Sequence, residues 1–329
     1  MNQKNIKAGY IYSDVIGKRL DDTSIDMEND LQKSYIENGE LYFDNKNGFA
    51  TAMQEGIFML RIPENLEIKY CDLFAQNFYK KSIDYDGSKS NNDFKEYSKF
   101  RNYTSSNFDS DSLLGFHERV DQIEQFLLEK RFWEKWYPRP IAKTGSELCR
   151  LSSIIIKRVL REVGINEQDF ELATGGCTTQ KGSYHLTFNH YRPQLKTKGL
   201  SSHKDDGFVT ILRTVSPGLE INRSQKWEKV GVDINYFIVN FGLSMEILTR
   251  NSKFPVSAIM HRVVHQTVDR WSWGHFSSSS CVEGSDQGIF EFYAESGLKS
   301  LCSSRQLINN NDYEIYHGTK IVDGTNGQS

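Results

Sequence analysis

Apolar residues at Leu148, Leu151, Ile155 and Val159 recur at the spacing of one helical face. Thr144-Gly145-Ser146-Glu147 reads as a capping box that opens this helix, and Gly164 as its stop. Ile123, Phe126, Leu127, Phe132 and Trp133 predict a second helix over Asp121–Trp136. Leu66, Tyr70, Leu73, Phe74 and Phe78 predict a third within Asn65–Lys81. Ile25–Glu37 is a weaker helical stretch. Gly56–Ile62 is an apolar run closed by Pro63, and reads as a strand. Residues 82–112, rich in Ser, Asn and Asp, read as a long loop.

Past Gly175-Gly176 the pattern changes. Short apolar runs alternate with turns: Tyr184–Tyr191, Phe208–Thr214, Leu219–Ile221, Trp227–Val230, Phe237–Phe241, Val263–Thr267 and Trp271–Phe276. This spacing predicts an antiparallel sandwich or barrel. The expected organisation is a mainly helical region over 1–180, a β core over 181–300, and a covering segment or tail over 301–329.

Composition narrows the function classes. A chain of 329 residues with 38% hydrophobic content can bury a large core. A net charge of -3 argues against a nucleic-acid binder, which usually needs a basic face. No run approaches the roughly 20 apolar residues of a membrane helix, and Met1–Tyr10 shows no secretory pattern. Cys71, Cys149, Cys177, Cys281 and Cys302 form no C-x-x-C pair, which fits free thiols in a reducing cytoplasm. The expected partner is a small molecule, and the expected state a monomer or weak homo-oligomer.

His203-Lys204-Asp205 carries candidate chemistry. In an extended segment, residues two apart point the same way, so the imidazole and the carboxylate can grip one metal. Taken alone the triplet is weak, since roughly one such His-x-acid triplet is expected by chance in a chain like this. His261 follows after several strands, which a closed sandwich can bring back to the pair. Two His and one carboxylate with open positions is the pattern of non-haem Fe(II) oxygenases.

The ordered motifs are Asn189-His190-Tyr191-Arg192-Pro193, His203-Lys204-Asp205, Thr210-Ile211-Leu212, Pro217-Gly218-Leu219, Trp227, Val239-Asn240-Phe241-Gly242, His261-Arg262-Val263 and Arg270-Trp271-Ser272. Over about 183–277 this series resembles the Fe(II)/2-oxoglutarate-dependent dioxygenases of the isopenicillin N synthase-like family. The resemblance implies a double-stranded β-helix, a distorted jelly roll, wrapped by N-terminal helices. It implies Fe(II) on His203, Asp205 and His261. It implies 2-oxoglutarate on Arg270, Ser272, Tyr191 and Asn189, with O2 as oxidant. It further implies hydroxylation, desaturation or oxidative cyclisation of a small molecule, with release of succinate and CO2. Arg101 and Tyr103 are candidate substrate contacts. An oxidase that uses O2 without 2-oxoglutarate stays open, as does a binding protein that has lost turnover. Two departures stand out: Leu243 replaces the usual Asp after the V-N-x-G glycine, and Arg192 replaces a usual Pro. The first is expected to alter a turn, and the second to add charge near the entrance.

Overall fold

A computed structural model describes residues 24–29, 31–81, 92–108, 113–281, 286, 288–307 and 309. The expected tail beyond 309 lies outside the described residues, as do parts of the expected 82–112 loop. In chain order the first half contains β1 (Ser24–Asn29), β2 (Lys33–Glu37), β3 (Glu40–Phe43), helix α1 (Gly48–Glu55) and β4 (Ile57–Arg61). Then come α2 (Lys69–Ala75), α3 (Asn92–Tyr97), β5 (Gly115–Glu118), β6 (Ile123–Glu129), α4 (Lys130–Trp136), α5 (Arg139–Val163) and α6 (Phe170–Ala173). The second half holds β7 (Ser183–Tyr191), β8 (Leu200–His203), β9 (Val209–Thr214), β10 (Leu219–Arg223), β11 (Lys226–Val230) and β12 (Tyr236–Phe241). It closes with α7 (Leu243–Thr249), β13 (His261–Val263), β14 (Arg270–Ser278), β15 (Ile289–Tyr293) and β16 (Gly297–Cys302).

The strands form two facing sheets and a separate β15–β16 hairpin. The larger sheet runs β3-β2-β4-β12-β9-β14-β7-β6-β5, and the smaller β1-β11-β10-β13-β8. Most pairings are antiparallel; β1–β11 and β2–β4 are parallel. This is the mainly β architecture with flanking helices that the sequence pattern predicts. An apolar cluster including Met59, Ile123, Tyr191, Ile221, Ile238 and Val263 fills the space between the sheets. A larger cluster packs α5, through Leu148, Leu151, Ile155 and Val159, with Phe126, Phe188 and Trp273 of the main sheet.

Several elements differ from expectation. Ile25–Glu37 holds the strands β1 and β2 instead of a helix. Asp121–Trp136 splits into β6 and the short helix α4. Both faces of β6 are covered, so its apolar run lacks the alternation that marks a half-exposed strand. The helix within Asn65–Lys81 is confined to Lys69–Ala75. The expected 82–112 loop contains α3 and two 3-10 turns. Helix α5 begins five residues before the expected capping box, with Pro140 in its first turn, where a missing N–H costs nothing. The Thr144 hydroxyl instead donates to the Pro140 and Glu67 carbonyls. Gly164 does stop the helix, in the left-handed region at φ 86°.

Strand alternation and register define the face that matters. Thr210 lies opposite Asn240 across β9 and β12, and Thr214 opposite Ser272 across β9 and β14. Ser272 lies opposite Asn189, and Arg270 opposite Tyr191, across β14 and β7. Partners in register share a face, so these side chains all point toward the smaller sheet.

Candidate metal centre and carboxylate clamp

His203 and His261 are brought together by β8 and β13, which pair them directly in register. Their ring centroids are 4.4 Å apart. Asp205 follows β8, and its Oδ1 lies 3.5 Å from His203 Nε2 and 3.7 Å from His261 Nε2. One ligand atom from each residue lies within 4.8 Å of the other two, and this is the metal-competent His/Cys/Asp/Glu group among the described residues.

The second layer orients each donor. His203 Nδ1 is 2.8 Å from the Ser201 carbonyl, and His261 Nδ1 is 3.2 Å from that of Ile259. Each Nδ1–H donates to its carbonyl, which leaves both Nε2 lone pairs facing Asp205. Asp205 is 7% exposed. Its Oδ2 accepts bonds from the Thr210 hydroxyl at 2.6 Å and the Asn240 amide at 2.8 Å, leaving Oδ1 toward the imidazoles. Burial raises the Asp205 carboxyl, but His261, His203 and the Asn240 bond outweigh it and hold the group below the usual range. Burial and the neighbouring His203 lower His261 to about 4, so its imidazole is neutral at pH 7. Two imidazoles and a carboxylate fit Fe(II).

The chain after β12 supports the same centre. The Leu243 N–H donates to the Asp205 carbonyl at 2.8 Å. A Cβ on Gly242 would lie 2.3 Å from the Gly207 carbonyl oxygen, so only glycine lets the two segments approach this closely. Leu243 is buried and opens α7. Leu243 stands where the resemblance expects Asp, and the three donors lie together beside it.

Arg270 lies at the far end of the same face. It is 1% exposed. Its Nε donates to the Pro217 carbonyl at 3.1 Å, and Nη2 donates to the Thr214 hydroxyl at 3.1 Å. Its guanidinium sits 4.4 Å from the centre of the Tyr191 ring. Among the described residues Nη1 is buried without a partner, as is Asn189 Oδ1. A buried cation with a free donor, flanked by Ser272, fits a carboxylate.

Residues 182–279 match the family described as the 2OG-Fe(II) oxygenase superfamily. The match covers under a third of the chain and includes His203, Asp205, His261 and Arg270. The family's description names 2-oxoglutarate and Fe(II), and residues 182–279 carry donor sets that suit both. Protein DMR6-LIKE OXYGENASE 1 of Arabidopsis thaliana is 28% identical over 175 residues, which are 50% of this chain and 47% of that protein. Jasmonate-induced oxygenase 2 of the same plant is 34% identical over 130 residues, 38% of this chain and 33% of that protein. Thebaine 6-O-demethylase of Papaver somniferum is 31% identical over 153 residues, 44% and 41% of the two chains. The chain thus spans about half the length, or less, of these relatives. A solved structure of JOX2 in complex with 2OG, Fe, and JA superposes with a TM-score of 0.63 at 19% identity, over 91% of this chain and 88% of that one. A 2OG-Fe(II) oxygenase family protein from Caulobacter crescentus gives 0.58 at 18% identity, over 81% and 92%. At these identities the superpositions speak to fold alone.

The substrate contacts expected of Arg101 and Tyr103 meet a different placement. Arg101 pairs with Glu118 at 2.6 Å and Glu124 at 2.8 Å, and donates to the Tyr79 carbonyl. Glu124 alternates with Ile123 and Gln125 along β6, so Arg101 engages the sheet face opposite the oxygenase centre. Tyr103 packs edge-on against Phe100 and Trp136. Arg192 adds no charge at an entrance. It is buried, and its guanidinium donates to the Gln122, Arg119, Asp121 and Ile123 carbonyls and pairs with Glu118. His190, on that opposite face, is flanked by Glu124 and Asp269 and stacked on Tyr79. Burial lowers its pKa, but the two carboxylates outweigh burial and raise it overall.

Sequence pattern alone gives Thr210, Asn240 and Thr214 no role. The T-x-L and V-N-x-G motifs contain the first two. Their shared function becomes visible only through the β9–β12 register.

Proposed function

We propose that this protein is an Fe(II)- and 2-oxoglutarate-dependent dioxygenase that oxidises a small molecule and releases succinate and CO2. The observation that carries this reading is the unpartnered Arg270 Nη1, buried on the sheet face that also anchors Asp205. His203, Asp205 and His261 would hold the iron, and Arg270, Ser272, Tyr191 and Asn189 the co-substrate. Iron and keto acid, when bound, supply the oxidising chemistry with O2.

The chain's own residues do the positioning. Arg270 neutralises the far carboxylate of the keto acid and draws it into a site sealed by the apolar cluster between the sheets. Tyr191 restrains the guanidinium plane from one side. The two Nδ1–H bonds keep both imidazoles turned, and Thr210 and Asn240 keep Asp205 from rotating away. Asp205 also sets this chain apart from halogenases, which leave that position small to admit halide.

Hydroxylation, desaturation and oxidative cyclisation all begin with removal of hydrogen from a positioned carbon, and all remain within this reading. A substrate from specialised or amino-acid-derived metabolism is supported by relatives such as thebaine 6-O-demethylase. A cytoplasmic place is supported by five free cysteines, three of them buried. Among the described residues no helix is long and apolar enough to cross a membrane.

The test is an anaerobic titration of the Fe(II)-loaded chain with 2-oxoglutarate, followed by assay of succinate in air. A visible charge-transfer band and 2-oxoglutarate-dependent succinate are expected, and Arg270→Gln should abolish saturation by 2-oxoglutarate. Full oxidised product without added 2-oxoglutarate would replace this reading with the oxidase that binds a substrate carboxylate at Arg270.

A further inference from the structure

We propose that Gln122, far from Arg270 in sequence, is a positioning residue for the carboxylate clamp. The inference rests on the reading of Arg270 as the 2-oxoglutarate partner. Gln122 sits in the β5–β6 turn and is fully buried. Its Nε2 donates to the carbonyls of Arg192 at 3.2 Å, Leu195 at 2.9 Å and Gln266 at 2.9 Å. Its Oε1 accepts the Gln266 N–H at 2.7 Å. One side-chain amide therefore grips both backbone groups of Gln266, in the connection between His261 and Arg270. Gripping both fixes the orientation of the Gln266 backbone as well as its distance.

From Gln266 the constraint passes to Arg270 through contacts that leave little slack. Gln266 Nε2 donates to the Val264 carbonyl at 2.8 Å, and the Val264 N–H donates to the Gly218 carbonyl at 3.0 Å. The Gln266 amide lies against Gly218 so closely that a Cβ there would be 2.4 Å from Nε2. Gly218, at φ 122°, takes a backbone conformation open to glycine. Its neighbour Pro217 supplies the carbonyl that receives Arg270 Nε. Gln122 thus holds Gln266, Gln266 holds the Pro217-Gly218 turn, and the turn holds one edge of the guanidinium.

The metal ligands are held otherwise. His203 and His261 are paired in register, His203 bonded to the Ser201 carbonyl on β8 and His261 to the Ile259 carbonyl just before β13. Asp205 is held by Thr210 and Asn240. The consequence is an asymmetry: loosening Gln122 should weaken the carboxylate clamp and spare the iron site.

The test uses full-length Gln122→Glu, which keeps the Oε1 acceptor and loses the donors, and Gln122→Met, which loses both at similar volume. Fe(II) affinity and 2-oxoglutarate affinity are measured separately, the latter anaerobically from the visible band. The dissociation constant for 2-oxoglutarate should rise about tenfold or more in both variants, with Fe(II) affinity within about twofold of wild type. If Gln122→Met does not fold, Gln122→Asn carries the same measurement. An unshifted 2-oxoglutarate constant, or equal losses for Fe(II) and 2-oxoglutarate, overturns the positioning role. A wild-type chain that binds Fe(II) but gives no band with 2-oxoglutarate overturns the co-substrate reading itself, and that failure is seen before any variant is made.

Discussion

At the scale of single residues, the metal centre depends on groups that would never touch the metal. Thr210 and Asn240 both bond Asp205 Oδ2, so Thr210→Val or Asn240→Leu frees the carboxylate to rotate. Each should weaken Fe(II) binding about 10- to 100-fold in an anaerobic titration. Unchanged affinity in both variants would show that Asp205 is held by its backbone alone. His275 gives a prediction about acid. It is fully buried, with Cys149 Sγ 3.3 Å from Nε2 and Ser152 Oγ 3.3 Å from Nδ1. Burial lowers it to about 3 from an ordinary 6.5, so it stays neutral while folded. As pH falls below 6.5 the unfolded chain takes the proton first, and stability from this group drains away by about 1.4 kcal/mol per pH unit. The loss levels off below about 3, where the folded imidazole protonates too. The fall in thermal midpoint between about pH 6 and pH 4 should therefore be shallower in His275→Gln than in wild type. Parallel slopes would assign the acid sensitivity to other groups. His203, Asp205, His261 and Arg270 are legible in the sequence because spacing and order in one strand series define them. Gln122 and Thr214 are not, since a buried polar residue shows its partner only once the chain has folded.

At the scale of elements, legibility follows the turns that bracket each run. Strands β9, β12 and β14 lie close to the bounds their pattern predicts because turns bracket each apolar run. β6 has the spacing of a helix because it is covered on both sides and runs straight into α4. The pattern misplaces the opening of α5 because Thr144-Gly145-Ser146-Glu147 satisfies a cap pattern inside a helix already begun. The β12–α7 junction shows how an element boundary serves the site. There Gly242 packs against the 205–207 segment, with ideal Cβ distances of 2.3 Å to Gly207 O and 2.8 Å to Asp205 O. Gly242→Ala must push that segment away and move Asp205 with it. A lower thermal midpoint, together with Fe(II) affinity reduced more than about tenfold, is expected from calorimetry and metal titration. Loss of stability with Fe(II) affinity intact would mean that the shift is absorbed by α7.

At the scale of the whole molecule, the sheet crosses the boundary expected near residue 180. β4 pairs with β12 over five register partners, and β6 pairs with β7 over seven. Both supporting strands come from the first half of the chain, and both flank strands that carry Asn240, Asn189 or Tyr191. The apolar outer face of the main sheet is covered by α5, also from the first half. A fragment of residues 181–300 would leave β7, β11 and β12 each with an unpaired edge, together with an uncovered apolar face, which favours aggregation over folding. Expressed alone, it should show no cooperative thermal transition and no Fe(II) binding, while the full chain shows both. The motif-bearing segment would then be where the chemistry is concentrated, with its stability drawn from the strands and helix that precede it. A 181–300 fragment that melts sharply and binds Fe(II) as the full chain does would instead make the first half an accessory, and would reduce β4, β6 and α5 to a covering of an independent core.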